Sequence, residues 1–117
     1  MLRVYTYAKC DTCRRAVKFL RARDIAFIEI PIRETPPTKT ELQAMLTAQN
    51  GEIRKLFNTS GGDYKALGLS SRLPALPVDE ALSLLAANGN LVKRPFVIGD
   101  SLRLVGFDEA RWAAALA

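Results

Sequence analysis

Residues 7–20 read Tyr7-Ala8-Lys9-Cys10-Asp11-Thr12-Cys13-Arg14-Arg15-Ala16-Val17-Lys18-Phe19-Leu20, and the chain's two cysteines sit in this stretch, separated by two residues. It is here that the hydrophobic period changes. Upstream, Leu2 to Tyr7 alternates Leu/Arg/Val/Tyr/Thr/Tyr, the pattern of a strand. From Cys13 onward, Cys13, Ala16, Val17 and Leu20 recur at i, i+3, i+4 and i+7, while Arg14, Arg15, Lys18 and Arg21 fall largely on other faces. That spacing predicts an amphipathic helix of about three turns. Ala26 to Ile32 reads as a second strand, with Pro31 marking an edge or a strand end. Strand, helix and strand in so short a stretch form a βαβ unit, with parallel pairing and a right-handed crossover.

Beyond Pro36-Pro37 the pattern turns helical. Thr38 and Glu41 have capping-box spacing, Leu42, Met45 and Leu46 make one apolar stripe, and Asn50-Gly51 ends the segment. Short helical pieces are expected at Glu52–Phe57 and Tyr64–Leu69. A longer helix is expected from Val78 to Ala87, stopped by Asn88-Gly89. Pro95 to Ile98, the turn Gly99-Asp100 and Leu102 to Val105 read as a β-hairpin, and Asp108 caps a last helix carrying Trp112 and Leu116. The order is β-α-β, then helices, then β-β-α. This is an α/β, thioredoxin/glutaredoxin-like fold: a mixed four-stranded sheet in one domain, 1–117, with a helical insert over about 38–90 between its halves.

Composition sets the class. At 117 residues, 49% apolar and 25% charged, the chain has the make-up of an ordinary globular domain with one core. It contains no apolar run of the roughly 18 residues that a membrane span needs, and its start alternates rather than forming a signal peptide's apolar block. A cytoplasmic protein is expected, and in that reducing compartment a close cysteine pair is catalytic, redox-sensing or metal-binding more often than a structural disulfide. Net charge is +5, concentrated at the start: up to Arg23 seven basic residues face one acid, Asp11. Such a field attracts anionic substrates, acidic proteins or nucleic acid, and the alternative reading is a solvated helix face near a thiol. Direct nucleic-acid binding is not expected, because no aromatics interleave with the charge on strands. With no exposed apolar stripe left over, a monomer is expected.

The placement of the cysteines gives them different roles. Cys10 lies where the first strand ends and the helix begins, so free backbone N–H groups and the positive end of the helix dipole face its sulfur. Helix N-termini and nearby cations, here Lys9, Arg14 and Arg15, are the setting of reactive thiols. Cys13, one turn further in, suits attack on a mixed disulfide formed at Cys10. A closed four-ligand zinc site cannot be built within the chain from two cysteines and no histidine, and the same lack of histidine excludes a Cys-His dyad. A metal shared between two copies, and two inert buried thiols, stay open as alternatives. In a redox fold of this topology Pro95 opens the third strand opposite the cysteine turn. Arg94 beside it has the planar fork that suits oxyanions; an ordinary edge-strand proline and a surface salt-bridge arginine stay open as alternatives.

Five ordered motifs resemble the ArsC/Spx family: Cys10-Asp11-Thr12-Cys13-Arg14, Phe57-Asn58-Thr59-Ser60-Gly61, Tyr64-Lys65-Ala66-Leu67-Gly68-Leu69, Leu91-Val92-Lys93-Arg94-Pro95 and Val105-Gly106-Phe107-Asp108-Glu109. That family comprises glutaredoxin-coupled arsenate reductases, Spx regulators that bind RNA polymerase, and Spx/MgsR-like and YffB-like proteins. The resemblance implies a thioredoxin-like sheet with a helical insert and a cis Arg94-Pro95 bond. It implies an arsenate reductase-like oxidoreductase with Cys10 as the catalytic cysteine, and Thr12, Arg14, Arg94 and Pro95 around the substrate or anion; with Cys13 as the resolving thiol read from its placement, a thiol-disulfide oxidoreductase is expected. No bound cofactor is implied; glutathione or glutaredoxin serves as thiol reductant and an oxyanion as substrate. Matched by position, Asn58 and Phe107 stand where arsenate reductases carry two of their three oxyanion-binding arginines, and Cys13 replaces a serine. The alternative that the resemblance implies is an Spx-like redox-sensing regulator that binds the RNA polymerase α subunit through the insert face around Gly51.

Overall fold

The computed structural model describes residues 1–116. Four strands form one mixed sheet in the order β2-β1-β3-β4, where β1 is Leu2–Thr6, β2 Phe27–Pro31, β3 Phe96–Ile98 and β4 Arg103–Val105. β1 pairs parallel with β2 and antiparallel with β3, and β3 pairs antiparallel with β4. This is the βαβ–ββα sheet of the thioredoxin-like class. β2 is an edge strand that ends at Pro31, where the missing N–H removes nothing from a ladder.

Alternation along the strands divides the core. Val4, Val97 and Leu104 face one side of the sheet, with Ala16, Phe19 and Leu20 of α1 (Asp11–Ala22) and Trp112 of α6 (Glu109–Ala115). Tyr5, Phe96 and Val105 face the other side, packed on Leu42, Met45 and Leu46 of α2 (Lys39–Ala48) and Ala81, Leu82 and Leu85 of α5 (Val78–Ala87). A side-chain period of two requires this split.

Helix termini follow the capping chemistry. The Thr38 hydroxyl accepts the Glu41 N–H at 3.1 Å while the Glu41 carboxylate accepts the Thr38 N–H at 2.9 Å. The same carboxylate accepts from the Tyr5 hydroxyl at 2.7 Å and pairs with Arg3 at 3.1 Å, so the cap also ties α2 to β1. Asp108 caps α6, and the Trp112 indole N–H donates to the Gly106 carbonyl at 3.0 Å.

Helix α1 begins at Asp11, directly after Cys10, where the helix start is expected. Two pieces of the insert differ from the sequence reading. The piece expected at Tyr64–Leu69 is two turns, α3 (Gly62–Ala66) and α4 (Leu69–Arg72), broken at Gly68 by a left-handed φ of 63°. The Glu52–Phe57 piece is a 3₁₀ turn, Ile53–Leu56, and a second 3₁₀ turn runs from Leu73 to Ala75. From the middle of the insert to the segment that leaves it, Phe57 bridges Val92, Asn58 N–H donates to the Leu91 carbonyl at 2.7 Å and Lys93 N–H to the Leu56 carbonyl at 2.8 Å. This clasp delivers Arg94 to β3 through an Arg94–Pro95 peptide bond that is cis. Among the described residues no helix is long and apolar enough to cross a membrane.

Candidate functional site

β1 and β2 are parallel, so their carboxyl ends, and the loops that leave them, share one end of the sheet. The loop after β1 carries Tyr7 to Cys10. Its last residue is the N-cap of α1: the Cys10 N–H donates to the Tyr7 carbonyl at 3.0 Å, and the Arg14 N–H donates to the Cys10 carbonyl at 3.1 Å. The Cys10 Sγ accepts the Cys13 N–H at 3.2 Å. Serine, threonine and aspartate usually fill this place; here a sulfur takes one of the free donors of the helix start.

The two thiols differ in access. Cys10 is half-buried, whereas Cys13 is 2% exposed, and both are free. Burial, followed by the hydrogen bond to Cys10, pushes the Cys13 thiol up to about 12, opposed by the Tyr7 backbone and the positive field of Arg94. A neutral, buried thiol thus stands directly behind a more accessible one. Thr12, between them in the first turn of α1, is half-buried.

The structure brings most of the expected site residues to this end of the sheet. Arg14 is exposed; its Nη1 donates to the Ala8 carbonyl at 3.2 Å and its Nη2 lies 3.6 Å from Asp11, closing the turn around Cys10. Arg94 stacks its guanidinium 5.1 Å from the centre of the Tyr7 ring, and its Nη1 is buried with no hydrogen-bond partner. Pro95 is buried at the start of β3. Asn58 donates weakly to the Asn90 carbonyl at 3.5 Å. Phe107 packs edge-on against Phe19 and Trp112, with Arg15 above it at 5.8 Å. Neither position supplies a cation.

Two residues that sequence reasoning passed over belong to the same cluster. Tyr7 is one, and Arg33 is the other: its guanidinium lies 5.0 Å from the Tyr7 ring centre and donates to the Tyr7 hydroxyl at 3.0 Å. The available signal was their shared place just after two parallel strands. A groove of about 400 Å³ beside the pair is lined by Tyr7, Cys13, Arg14, Lys18, Arg21 and Glu29, among others. A second, of about 460 Å³, carries Arg54, Lys55, Lys93 and Arg111 and includes neither cysteine. Among the described residues no three His, Cys, Asp or Glu side chains are placed to hold a metal ion. Chemically, the arrangement suits nucleophilic attack by an accessible sulfur followed by attack from the sulfur behind it.

Comparison with known proteins agrees with this fold. The model of the ArsC family matches residues 5–115. The uncharacterised protein YusI of Bacillus subtilis is 43% identical over 108 residues, covering 92% of this chain and 92% of that one. The global transcriptional regulator Spx of Enterococcus faecalis is 31% identical over 109 residues, 93% of this chain and 81% of that one. Among solved structures, an ArsC-family-related protein from Bacteroides fragilis superposes with a TM-score of 0.91 at 39% identity, covering 97% and 96% of the two chains. A possible arsenate reductase from Streptococcus mutans gives 0.89 at 38% identity, covering 97% of each.

Proposed function

The chain belongs to the ArsC family, and from that membership and its cysteine geometry we propose that it is a thiol-disulfide oxidoreductase. Cys10 is the nucleophile and Cys13 the resolving thiol. The observation that carries this reading is the capping sulfur: Cys10 Sγ holds the Cys13 amide at 3.2 Å, and the Cys13 thiol is buried directly behind it.

In the first step the Cys10 thiolate attacks one sulfur of a substrate disulfide. A Cys10–substrate bond forms, the substrate S–S bond breaks, and the other half leaves as a thiolate. Cys13 then gives up its proton to solvent and attacks the Cys10 sulfur, releasing the second half. The substrate gains two electrons and the protein ends with a Cys10–Cys13 disulfide. A thiol reductant, two glutathione molecules or the dithiol of glutaredoxin, returns it to the dithiol. Glutathione is thus a co-substrate and no resident cofactor is required.

Arsenate is the weaker substrate candidate. Asn58 and Phe107 replace two guanidiniums whose charge-assisted bonds would be worth about 1.5–3 kcal/mol each. Thr12, Arg14, Arg94 and Pro95 are assigned to the substrate side of the site, with Arg94 as the cation whose field acts on the Cys13 thiol.

Alkylation and mass analysis of single variants test the assignment. Cys10→Ser should abolish rapid thiol modification, and Cys13→Ser should leave a reactive thiol that accumulates mixed disulfides. Equal reactivity in the two variants would refute it. A second reading, a redox-switched regulator, is favoured by the relatives named Spx and MgsR at 31% and 28% identity. It is tested by pull-down with the RNA polymerase α C-terminal domain, with and without oxidant; no capture in either state would count against it.

A further inference from the structure

Two guanidiniums share one tyrosine ring beside the cysteine pair. Arg33 and Arg94 lie 5.0 and 5.1 Å from the Tyr7 ring centre, and Arg33 also holds the Tyr7 hydroxyl at 3.0 Å. The Arg94 Nη1 is buried and unpartnered, a state that buried donors rarely keep without a ligand or water. Among the described residues neither guanidinium has a carboxylate within ion-pair distance. Asp63 feels the field of Arg33, but its Oδ2 is already engaged by the side-chain amides of Asn88 at 3.0 Å and Asn90 at 3.2 Å.

The position of Arg33 is built rather than incidental. Gly89 lies flush on the Ile32–Arg33 backbone, where a Cβ would run into the Ile32 carbonyl. Ile32 N–H donates to the Thr6 carbonyl at 2.9 Å, locking the exit of β2 to the exit of β1. Tyr7 therefore works in two directions: its carbonyl fixes the Cys10 amide, and its ring carries both cations. Two guanidiniums on one ring, neither of them ion-paired among the described residues, favour an anion that reaches both.

We propose that Arg33 and Arg94, mounted on Tyr7, form a two-cation subsite for an oxyanion group, carboxylate or tetrahedral, of the molecule that Cys10 attacks. Arg33 supplies from the end of β2 a guanidinium that Asn58 and Phe107 do not supply. The inference rests on the reading of Cys10 as nucleophile.

The test uses the full reduced chain and iodoacetamide, a neutral reagent from which the Cys10 thiolate displaces iodide as the S–C bond forms. Two anions are titrated as protectors: inorganic arsenate, and S-methylglutathione, which has carboxylates but no thiol. At least one should slow alkylation of Cys10. Its half-protection concentration should rise about tenfold or more in Arg33→Gln, as expected for loss of a charge-assisted bond, and less in Arg33→Lys. Arg72→Gln, whose guanidinium donates to the Leu67 carbonyl at 2.9 Å, should match the wild type. Protection by arsenate alone assigns a tetrahedral ligand, and by S-methylglutathione alone a carboxylate. No protection by either, or equal half-protection in wild type and Arg33→Gln, overturns the subsite. Wild-type alkylation in Cys10→Ser overturns the nucleophile assignment instead, so the two failures are distinguishable.

Discussion

Resolution by Cys13 should be the base-limited half of the reaction. Burial, and then the hydrogen bond with Cys10, pushes this thiol up to about 12. A thiol at that value is ionised at pH 7 to only on the order of one part in 10⁵, against a few per cent for an ordinary thiol near 8.5. Once Cys10 is held in a mixed disulfide, its hydrogen bond and charge no longer act on Cys13. Burial, the largest cause, remains, so the thiol still titrates above its ordinary range. The resolving rate should therefore climb about tenfold per pH unit, or roughly a hundredfold from pH 7 to 9, where an ordinary thiol would already be levelling off. Dithiobis(nitrobenzoate) separates the steps, because attack by Cys10 releases one thionitrobenzoate and attack by Cys13 releases the second. Stopped-flow absorbance should show two phases, with the slower one rising through this range and missing in Cys13→Ser. A second phase that is flat or saturates below about pH 8.5 would refute the burial argument.

Three further outcomes follow from the packing. Gly89→Ala should destabilise the protein by about 1–3 kcal/mol in urea unfolding, because the Ile32 backbone must give way; Gly62→Ala, which meets open space, should be neutral or stabilising by up to about 1 kcal/mol. Trp112→Ala should cost about 3–5 kcal/mol by the same measurement, since the ring is fully buried against Phe19 and Phe107. Hydrogen bonds from Asn88 and then Asn90 hold Asp63 below the usual carboxylate range. The unfolded chain then binds the extra proton first, so the stabilisation is present above the ordinary carboxylate value and lost as pH falls through the folded one. The urea midpoint should fall more steeply for wild type than for Asp63→Asn between about pH 5 and pH 3.

The architecture was largely legible because its signals are local. The change of period at Cys13, the capping pair Thr38 and Glu41, and the turn at Gly99 each act within a few residues, and the elements appear where these signals stand. The misses are local competitions that pattern does not decide. Gly68 occurs inside an apolar, helical-looking stretch, and whether such a glycine continues a helix or turns it left-handed depends on tertiary packing. The 3₁₀ turn Ile53–Leu56 runs directly into the Phe57–Val92 bridge, and the one at Leu73–Ala75 carries Pro74 in its first turn.

The candidate site was legible where its residues are contiguous and hidden where they converge. Cys10 and Cys13 announce themselves by spacing, and Arg94 by its proline. Tyr7 and Arg33 are 26 residues apart, and each taken alone is an ordinary residue after a strand. Their meeting is a consequence of register: β1 and β2 are parallel with Thr6 opposite Pro31, so the residues just beyond, Tyr7 and Arg33, must emerge at one end of the sheet. A sequence reading that carries the parallel pairing one residue past β1 and two past β2 would place them together. The same step explains why positional matching to arsenate reductases understates the charge at the cysteine end. Matching asks what stands at positions 58 and 107, whereas an anion responds to whichever guanidiniums reach it, and Arg33 reaches the Tyr7 ring from a different strand.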